Sequence, residues 1–560
     1  MSLDAFSNEA LAQALAGLAD GSGQGDMAAL RAIAEAAMCA CTPAADQLEQ
    51  VERFDLSTSA IHADAARASE VATRLCEAWE RIGTSPAHIL AGLEVFAARH
   101  HVEPPKVGTK KDTDKDKAHW MSNRMRSPLW WRRALRKRFR LVEEAEIAAG
   151  QVRRGMSPYA SARALARAQA DKTRTAETLA CMEVMNTTTG EVIQLQDVVQ
   201  ASLANPANRR AAMAVRLKGV EQYAQTLGMV GLFLTVTCPS RMHPSGDKYN
   251  GTTPRQANAY LCRVWANAMR KAKHAGMVTM GMRVVEPHHD ACPHWHVLAF
   301  VRPELADAFT AIVRAYALED TPDEAGAQEH RFTVERIDRA KGSALSYVMK
   351  YVSKSIDGEG VGEDNETATP STEAARAITT WSRTHGIRQF QFFGLPPVTP
   401  VRELYRVQAD ALPDSVSVRE AHSCIKANEQ GALLCLLAMD GLDLSGDYIK
   451  RPSTRYPGEL ARCLVGVFAS GGDMGQPEHV TTRTPGEWVI QLRGSDENAG
   501  LCLPWTRTRT RINNSASPAT ATTPASEPTS EPATSASHQN TPEGAPAGAD
   551  AIPKEAAPCF

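Results

Sequence analysis

Between residues 229 and 356 the chain follows a rhythm that few folds accommodate: four β-rich apolar runs, broken by helical stretches and one turn. "MVGLFLTVTCPS" (229–240) reads as a strand. "TTPRQANAYLCRVWANAMRKAKHAG" reads as a helix, with Thr253 as cap, Pro254 at its first position and Gly276 as stop. Its apolar stripe is Leu261, Val264, Trp265, Ala268 and Met269. "MVTMGMRVVE" (277–286) and "HWHVLAFV" (294–301) are two further strands joined by the turn "PHHDACP". A second helix (303–318), a fourth strand "HRFTVERID" (330–338) and a third helix "KGSALSYVMKYVSKSI" (341–356) complete the stretch. The order β-α-β-β-α-β, then a helix, is the ferredoxin-like plan, an α+β antiparallel sheet with helices on one face. That plan hosts many functions, so side chains must argue the chemistry.

Around this centre the organisation is less regular. Residues 1–100 carry Ala and Leu at helical spacing, as in "SNEALAQALAGLA" and "ASEVATRLCEAWERI". A charged linker (103–117) leads to "SPLWWRRALRKRFRLVEEAEIAAG", expected as one helix capped by Ser127, with Pro128 at its first position and Gly150 at its end. The net charge is only −2, yet residues 106–140 hold 13 Lys/Arg against 3 Asp. Trp130, Trp131, Leu135 and Phe139 interleave with six of those cations. Two readings stand: a nucleic-acid surface with stacking aromatics, or a helix packed through its aromatics with Arg outward. After residue 512 the Ser/Thr/Ala/Pro-rich tail cannot bury enough surface to order itself. The expected units are therefore 1–100 helical, 101–228 basic and helical with a possible DNA-binding role, 229–410 catalytic, 411–511 helical or mixed, and 512–560 disordered.

No run of ~18 apolar residues suggests a membrane helix. The mildly acidic N-terminus has neither the basic start nor the apolar core of a signal peptide, so a cytoplasmic protein is expected. The twelve cysteines form no CxxC, and Cys39 and Cys41 are the one close pair. That argues against a zinc ribbon or a disulfide framework.

The densest chemistry lies in "EPHHDACPHWHVLAF" (286–300). On a strand, residues i and i+2 share a face. His294 and His296 therefore project together while Trp295 packs behind. Two such imidazoles can converge on one cation. Glu286 can face them across the hairpin, leaving further coordination positions open, as a catalytic site requires. Ordinary packing is the competing reading. His288 and His289 fall in the turn and are read first as surface or supporting groups, and second as alternative ligands. By ligand type alone, this set suits zinc and a hydrolase.

In "SYVMKYVSKSI" the tyrosines Tyr347 and Tyr351 are four apart, one helical turn from each other on one face. Lys350 and Lys354 each follow a tyrosine by three, and cations beside a phenol favour the phenolate. A phenolate beside a metal is a nucleophile for phosphodiester transfer. The alternative is a core stripe with solvated lysines.

Together, "FLTVTCPS", "EPHHDACPHWHVLAF" and "YVMKYVSKSI", with "WSRTHGIRQFQFFGLPPVTPVRELYR" (381–406), resemble the HUH endonucleases. More closely, they resemble the bacteriophage replication gene A protein family. The resemblance departs in the hairpin turn, where this chain has Ala291 and Cys292 in place of a glycine. It implies a ferredoxin/RRM-like HUH core and a site-specific nickase that initiates rolling-circle replication. His294, His296 and Glu286 would hold magnesium or manganese. Tyr347 or Tyr351 would attack the origin phosphodiester, leaving a 5′-phosphotyrosine and a free 3′-hydroxyl. Lys354 and Lys350 would meet phosphate, and Thr235 and Thr237 would be scaffold. No GxxxxGK[ST] loop occurs, so unwinding is expected from a separate host helicase. The implied partners are origin DNA and the host replication machinery. A relaxase or transposase of the same chemistry, or a non-catalytic DNA-binding protein, are the alternatives.

Overall fold

Apolar faces at helical spacing build the N-terminal part of the chain. In the computed structural model the described residues are 56–494, except 110, 339, 341, 365, 454, 457 and 484–487. The segment "SNEALAQALAGLA", the Cys39–Cys41 pair and the tail from 512 lie outside them. Helices α1 (Thr58–Arg81), α2 (Pro86–Arg99), α3 (Asp114–Met125), α4 (Pro128–Leu135) and α5 (Arg138–Ala148) come first. Ala65, Ala68, Ala72, Leu75 and Trp79 of α1 pack with Trp131 and Leu135 of α4. Trp131 is fully buried and its Nε1–H donates to the Met125 carbonyl at 2.7 Å.

Two expectations are corrected here. The stretch from Ser127 to Gly150 is two helices, because the backbone tightens: the amides of Lys137, Phe139 and Arg140 bond three residues back at 3.0, 3.2 and 3.0 Å. Arg138 there turns inward, donating from Nε and Nη2 to the His100 carbonyl at 3.0 and 2.8 Å. Ser127 makes no side-chain cap bond. The aromatic side of the segment is core, while Arg133, Arg136 and Lys137 are exposed.

The chain continues through α6 (Ala162–Ala180), β1 (Met182–Asn186), β2 (Val192–Gln194), α7 (Leu195–Ala201) and α8 (Pro206–Thr226). It then reaches β3 (Val230–Thr237), α9 (Pro254–His274), β4 (Met280–Pro287), β5 (Pro293–Val301) and α10 (Ala306–Ala317). Next come α11 (Ala327–His330), β6 (Phe332–Arg336), α12 (Ala344–Ile356), α13 (Ser371–His385) and β7 (Phe390–Phe393). Thr253 and Gln256 close a reciprocal cap on α9, and Gly276 ends that segment at φ 73°. The central sheet is antiparallel throughout, in the order β6-β3-β5-β4-β7. The edge strand β7 was not anticipated.

Both faces of that sheet are covered, which corrects the expectation of helices on one face. Trp295, Val297 and Ala299 of β5 meet Leu261 and Val264 of α9 and Phe309 of α10. Leu298 and Phe300, on the other face, meet Val220 of α8 and Val348 and Val352 of α12. Every residue of β4 and β5 is buried. Strands apolar on both sides need cover on both sides.

The last described elements are α14 (Val398–Tyr405), α15 (Val416–Lys426), α16 (Gln430–Asp440), β8 (Asp443–Pro452), β9 (Leu460–Ser470), β10 (Glu478–Thr481) and β11 (Trp488–Leu492). Strands β8–β10 form one sheet, while β11 pairs with β1, so a sheet joins residues 182–194 to 488–492. Among the described residues no helix is long and apolar enough to cross a membrane.

Candidate active site

Hairpin register decides which side chains meet. Glu286 of β4 lies directly opposite His294 of β5, and His296 lies opposite Val284. Period-2 alternation turns Glu286, His294 and His296 toward the α12 face. Trp295 goes the other way, where its Nε1–H donates to Asn258 Oδ1 at 3.0 Å. The ring Nε2 atoms of His294 and His296 are 3.0 Å apart, and Glu286 Oε2 is 4.0 Å from that of His296.

These three residues can hold a cation. All are buried, with Glu286 at 1% exposure and both histidines at 8%, and one ligand atom from each lies within 4.8 Å of the others. Two bonds of ~2.1 Å can span at most ~4.2 Å, so both separations fit one ion. Burial, then neighbouring cationic groups, pushes His294 well below the ordinary imidazole range, and burial and Lys354 take His296 down to about 3. Both rings therefore offer neutral lone pairs. Thr235 Oγ1 sits 3.2 Å from His296 Nδ1 and can hold the proton there, leaving Nε2 as the ligand atom. His294 Nδ1 is buried with no partner among the described residues.

Burial also pushes the Glu286 carboxyl up, against the pull of Lys354. Lys354 Nζ lies 3.5 Å from Glu286 and 2.9 Å from Asp364. Ser355 Oγ–H donates to Glu286 Oε1 at 2.8 Å. Asp364 in turn accepts from the buried Tyr159 hydroxyl.

Helix α12 carries the two tyrosines. Ala344, Val348 and Val352 bury its inner stripe, and the Glu221 carboxylate accepts from the Ala344 and Leu345 amides at 2.8 and 3.1 Å. An anion at a helix N-terminus is favourable and fixes its entry. Tyr351 and Tyr347 then fall on the flank beside β3 and β5. The Tyr351 ring is 3.9 Å from that of His296 and 5.4 Å from Phe233. Tyr347 is one turn away, 6.3 Å from Phe233, with its hydroxyl donating to Glu335 Oε1 at 3.3 Å.

The phenols are not shifted as expected from the lysines. Burial and then Glu286 raise Tyr351 above its ordinary value, outweighing Lys354. Desolvation and the Glu335 carboxylate raise Tyr347. The reason is geometric: Lys354 is committed to two carboxylates, and Lys350 is exposed.

The turn histidine His288 is not a bystander. Its ring lies tilted against that of His294 with centroids 4.1 Å apart, and its Nδ1 is 3.5 Å from Glu366 Oε1. Glu366 also accepts from the His289 amide at 2.9 Å. The turn is stapled by Asp290, which accepts from the Cys292 amide at 3.0 Å and Ser245 Oγ at 2.8 Å, with His243 Nδ1 at 3.1 Å. Ala291 has φ 70°, a left-handed conformation that suits glycine better. Sequence reasoning missed Tyr159, Glu221, Ser355, Asp364 and Glu366. Ser355 sits inside the tyrosine motif and was findable. The others lie outside any periodic pattern.

Comparison with known proteins agrees on a family. A profile described as bacteriophage replication gene A protein matches residues 61–359. The chain is 38% identical to the probable replication protein of Pseudoalteromonas phage PM2, over 65% of this chain and 57% of that one. It is 34% identical to the replication gene A protein of Escherichia phage 186, over 75% and 63%. It is 31% identical to a probable replication endonuclease from a prophage-like region of Salmonella typhi, over 78% and 57%. The chain thus spans about three-fifths of these relatives' lengths. No solved structure matches.

Proposed function

Because the chain belongs to the bacteriophage replication gene A protein family, we propose that it is a site-specific single-strand DNA endonuclease that starts rolling-circle replication of a phage genome. Strands β3 to β6 with α9 and α10 are read as the ferredoxin-like core of an HUH endonuclease. The strand order β6-β3-β5-β4 supports this. One observation carries the reading: the Tyr351 ring lies against His296, on the same sheet face as the buried Glu286–His294–His296 group.

The proposed reaction is a phosphodiester exchange. The phenol oxygen of Tyr351 bonds to phosphorus, the P–O3′ bond breaks, and the leaving 3′-oxygen takes up a proton. The product is a 5′-phosphotyrosine and a 3′-hydroxyl that can prime a polymerase. The ester keeps the phosphodiester energy, so no nucleotide is consumed. Tyr347, one turn away, attacks the regenerated origin, and the free end then closes the circle. A divalent cation held by His294, His296 and Glu286, magnesium or manganese, would polarise the phosphoryl oxygen and oppose the upward shift of the nearby phenol. Thr235 fixes the tautomer of His296, and Ser355 with Lys354 orients Glu286. Lys350, exposed beside the tyrosines, meets phosphate. The working site is the bacterial host cytoplasm, with strand separation supplied by a host helicase.

The test mixes the protein, manganese and a single-stranded oligonucleotide spanning the phage origin. A protein–DNA adduct that survives denaturant is expected. Its persistence in the Tyr347→Phe, Tyr351→Phe double variant would refute the nucleophile assignment.

A further inference from the structure

The hairpin of β8 and β9 presents a face that the chemistry above does not use. In β9, Val467 and Ala469 are buried in the C-terminal core. Beyond the register shift between Asp447 and Tyr448, toward the tip of the hairpin, Leu460 and Arg462 are exposed to solvent, Leu460 at 65%. The register pairs Tyr448 with Leu464, Lys450 with Arg462 and Pro452 with Leu460. Residues directly opposite share a face, so Tyr448, Lys450, Arg462 and Leu460 lie together.

Two features of this face call for a partner. Lys450 and Arg462 are like charges placed directly opposite, which destabilises a ribbon. Neither is ion-paired with a carboxylate among the described residues, and two nearby acids are occupied elsewhere: Asp447 by His479 at 2.9 Å and Glu459 by Arg124 at 3.1 Å. The positive charge is therefore left facing solvent. Second, the Arg462 guanidinium lies over the Tyr448 ring at 3.7 Å, with that ring 39% exposed. Gly446 makes room behind it, since a Cβ there would meet the ring at 2.6 Å.

We propose that this outward face of the β8–β9 ribbon binds single-stranded DNA, with phosphates on Lys450 and Arg462 and a base stacked on the Arg462 guanidinium over Tyr448. Cations alone would suit any polyanion. The flat cation–aromatic pair and the exposed Leu460 suit unpaired bases, which a duplex hides. The inference takes from the proposed function only that the chain works on an unwound strand.

The test uses the full chain and fluorescence anisotropy with labelled oligodeoxythymidine and a duplex of equal length, over a range of salt. The probe carries no origin sequence, so cleavage does not enter. For the Lys450→Gln, Arg462→Gln chain, affinity for the single strand should fall about tenfold. Its salt slope should shrink by about 1.4, on the order of 0.7 per lost phosphate contact. Tyr448→Ala should weaken binding roughly five- to hundredfold with little change in slope. The Lys450→Gln, Arg462→Gln chain should melt close to the parent, because losing the Lys450–Arg462 repulsion offsets losing the Arg462–Tyr448 contact. Unchanged affinity and slope in the double-glutamine chain would overturn the proposal. Equal losses on duplex and single strand would overturn its choice of ligand. Adduct formation, recorded in parallel on origin DNA, judges the proposed function separately.

Discussion

The imidazole of His296 and the phenol ring of Tyr351 lie 3.9 Å apart, on the face of the central sheet opposite to Trp295. The two residues come from a strand and a helix 55 positions apart, and Phe233 closes the stack behind both, 5.7 Å from His296 and 5.4 Å from Tyr351. A phosphate approaching one of them approaches the other.

The two tyrosines should not behave alike. Tyr351→Phe is expected to lower formation of the first denaturant-stable adduct by about 1,000-fold or more, the scale of losing a nucleophile. Tyr347→Phe should leave that step within a few-fold but block release of closed circles. Gel assays with a linear origin oligonucleotide and a replicating plasmid separate the two steps. A Tyr351→Phe chain that cuts at the parent rate would reverse the order assigned here.

Cation binding should be visible without any DNA. Three buried ligand atoms within 4.8 Å are present only in the folded state. Manganese at a hundred times its dissociation constant should therefore add about 2.7 kcal/mol to stability. Thermal melts with manganese, with magnesium and with EDTA measure the effect. Replacing His294 and His296 by Ala should cancel it, and a shift that persists in that variant places the cation elsewhere.

Lys354 and Lys350 should separate in stability. Lys354 sits between Glu286 and Asp364 with its side chain 13% exposed. Lys354→Met strands two buried carboxylates and should cost on the order of 3 kcal/mol. Lys350→Met changes an exposed side chain and should stay within about 0.5 kcal/mol. Urea unfolding of the two variants reads the contrast, and equal effects would contradict the ion-pair geometry.

Acid should weaken the N-terminal helices. Burial, then the Arg138 charge, lowers His100 to about 4, and its ring packs against Phe96 and Trp131 at 4.9 Å each. An unfolded chain takes up this proton near pH 6.5, so the contribution is complete above that pH and drains away as pH falls toward 4. His100→Phe keeps a ring in place and should shrink the stability loss between pH 7 and 5 by about 1–2 kcal/mol. An unaltered pH profile would mean that His100 is solvated.

Much of the centre was legible because it obeys short-range rules. A cap, a proline and a terminal glycine bounded α9 within two residues, and the strand period placed Glu286, His294 and His296 on one face. The basic helix was legible only in part. Trp131 carried the same composition signal whether it faced DNA or a core, and packing against α1 decided for the core. The two-sided cover of the sheet was written in the apolar residues that β4 and β5 carry at both alternating positions, yet a strand count does not say what lies on each face.

Sequence by itself determined the local elements, the shared face of the two imidazoles and the one-turn spacing of the two phenols, since each follows from backbone periodicity of 2.0 or 3.6 residues. Only tertiary structure decided which tyrosine touches His296, that Lys354 is held by two carboxylates, and that Tyr159, Glu221, Asp364 and Glu366 support the site. Those contacts join residues far apart in the chain, and their energies depend on burial and on through-space distance, neither of which a periodic pattern encodes.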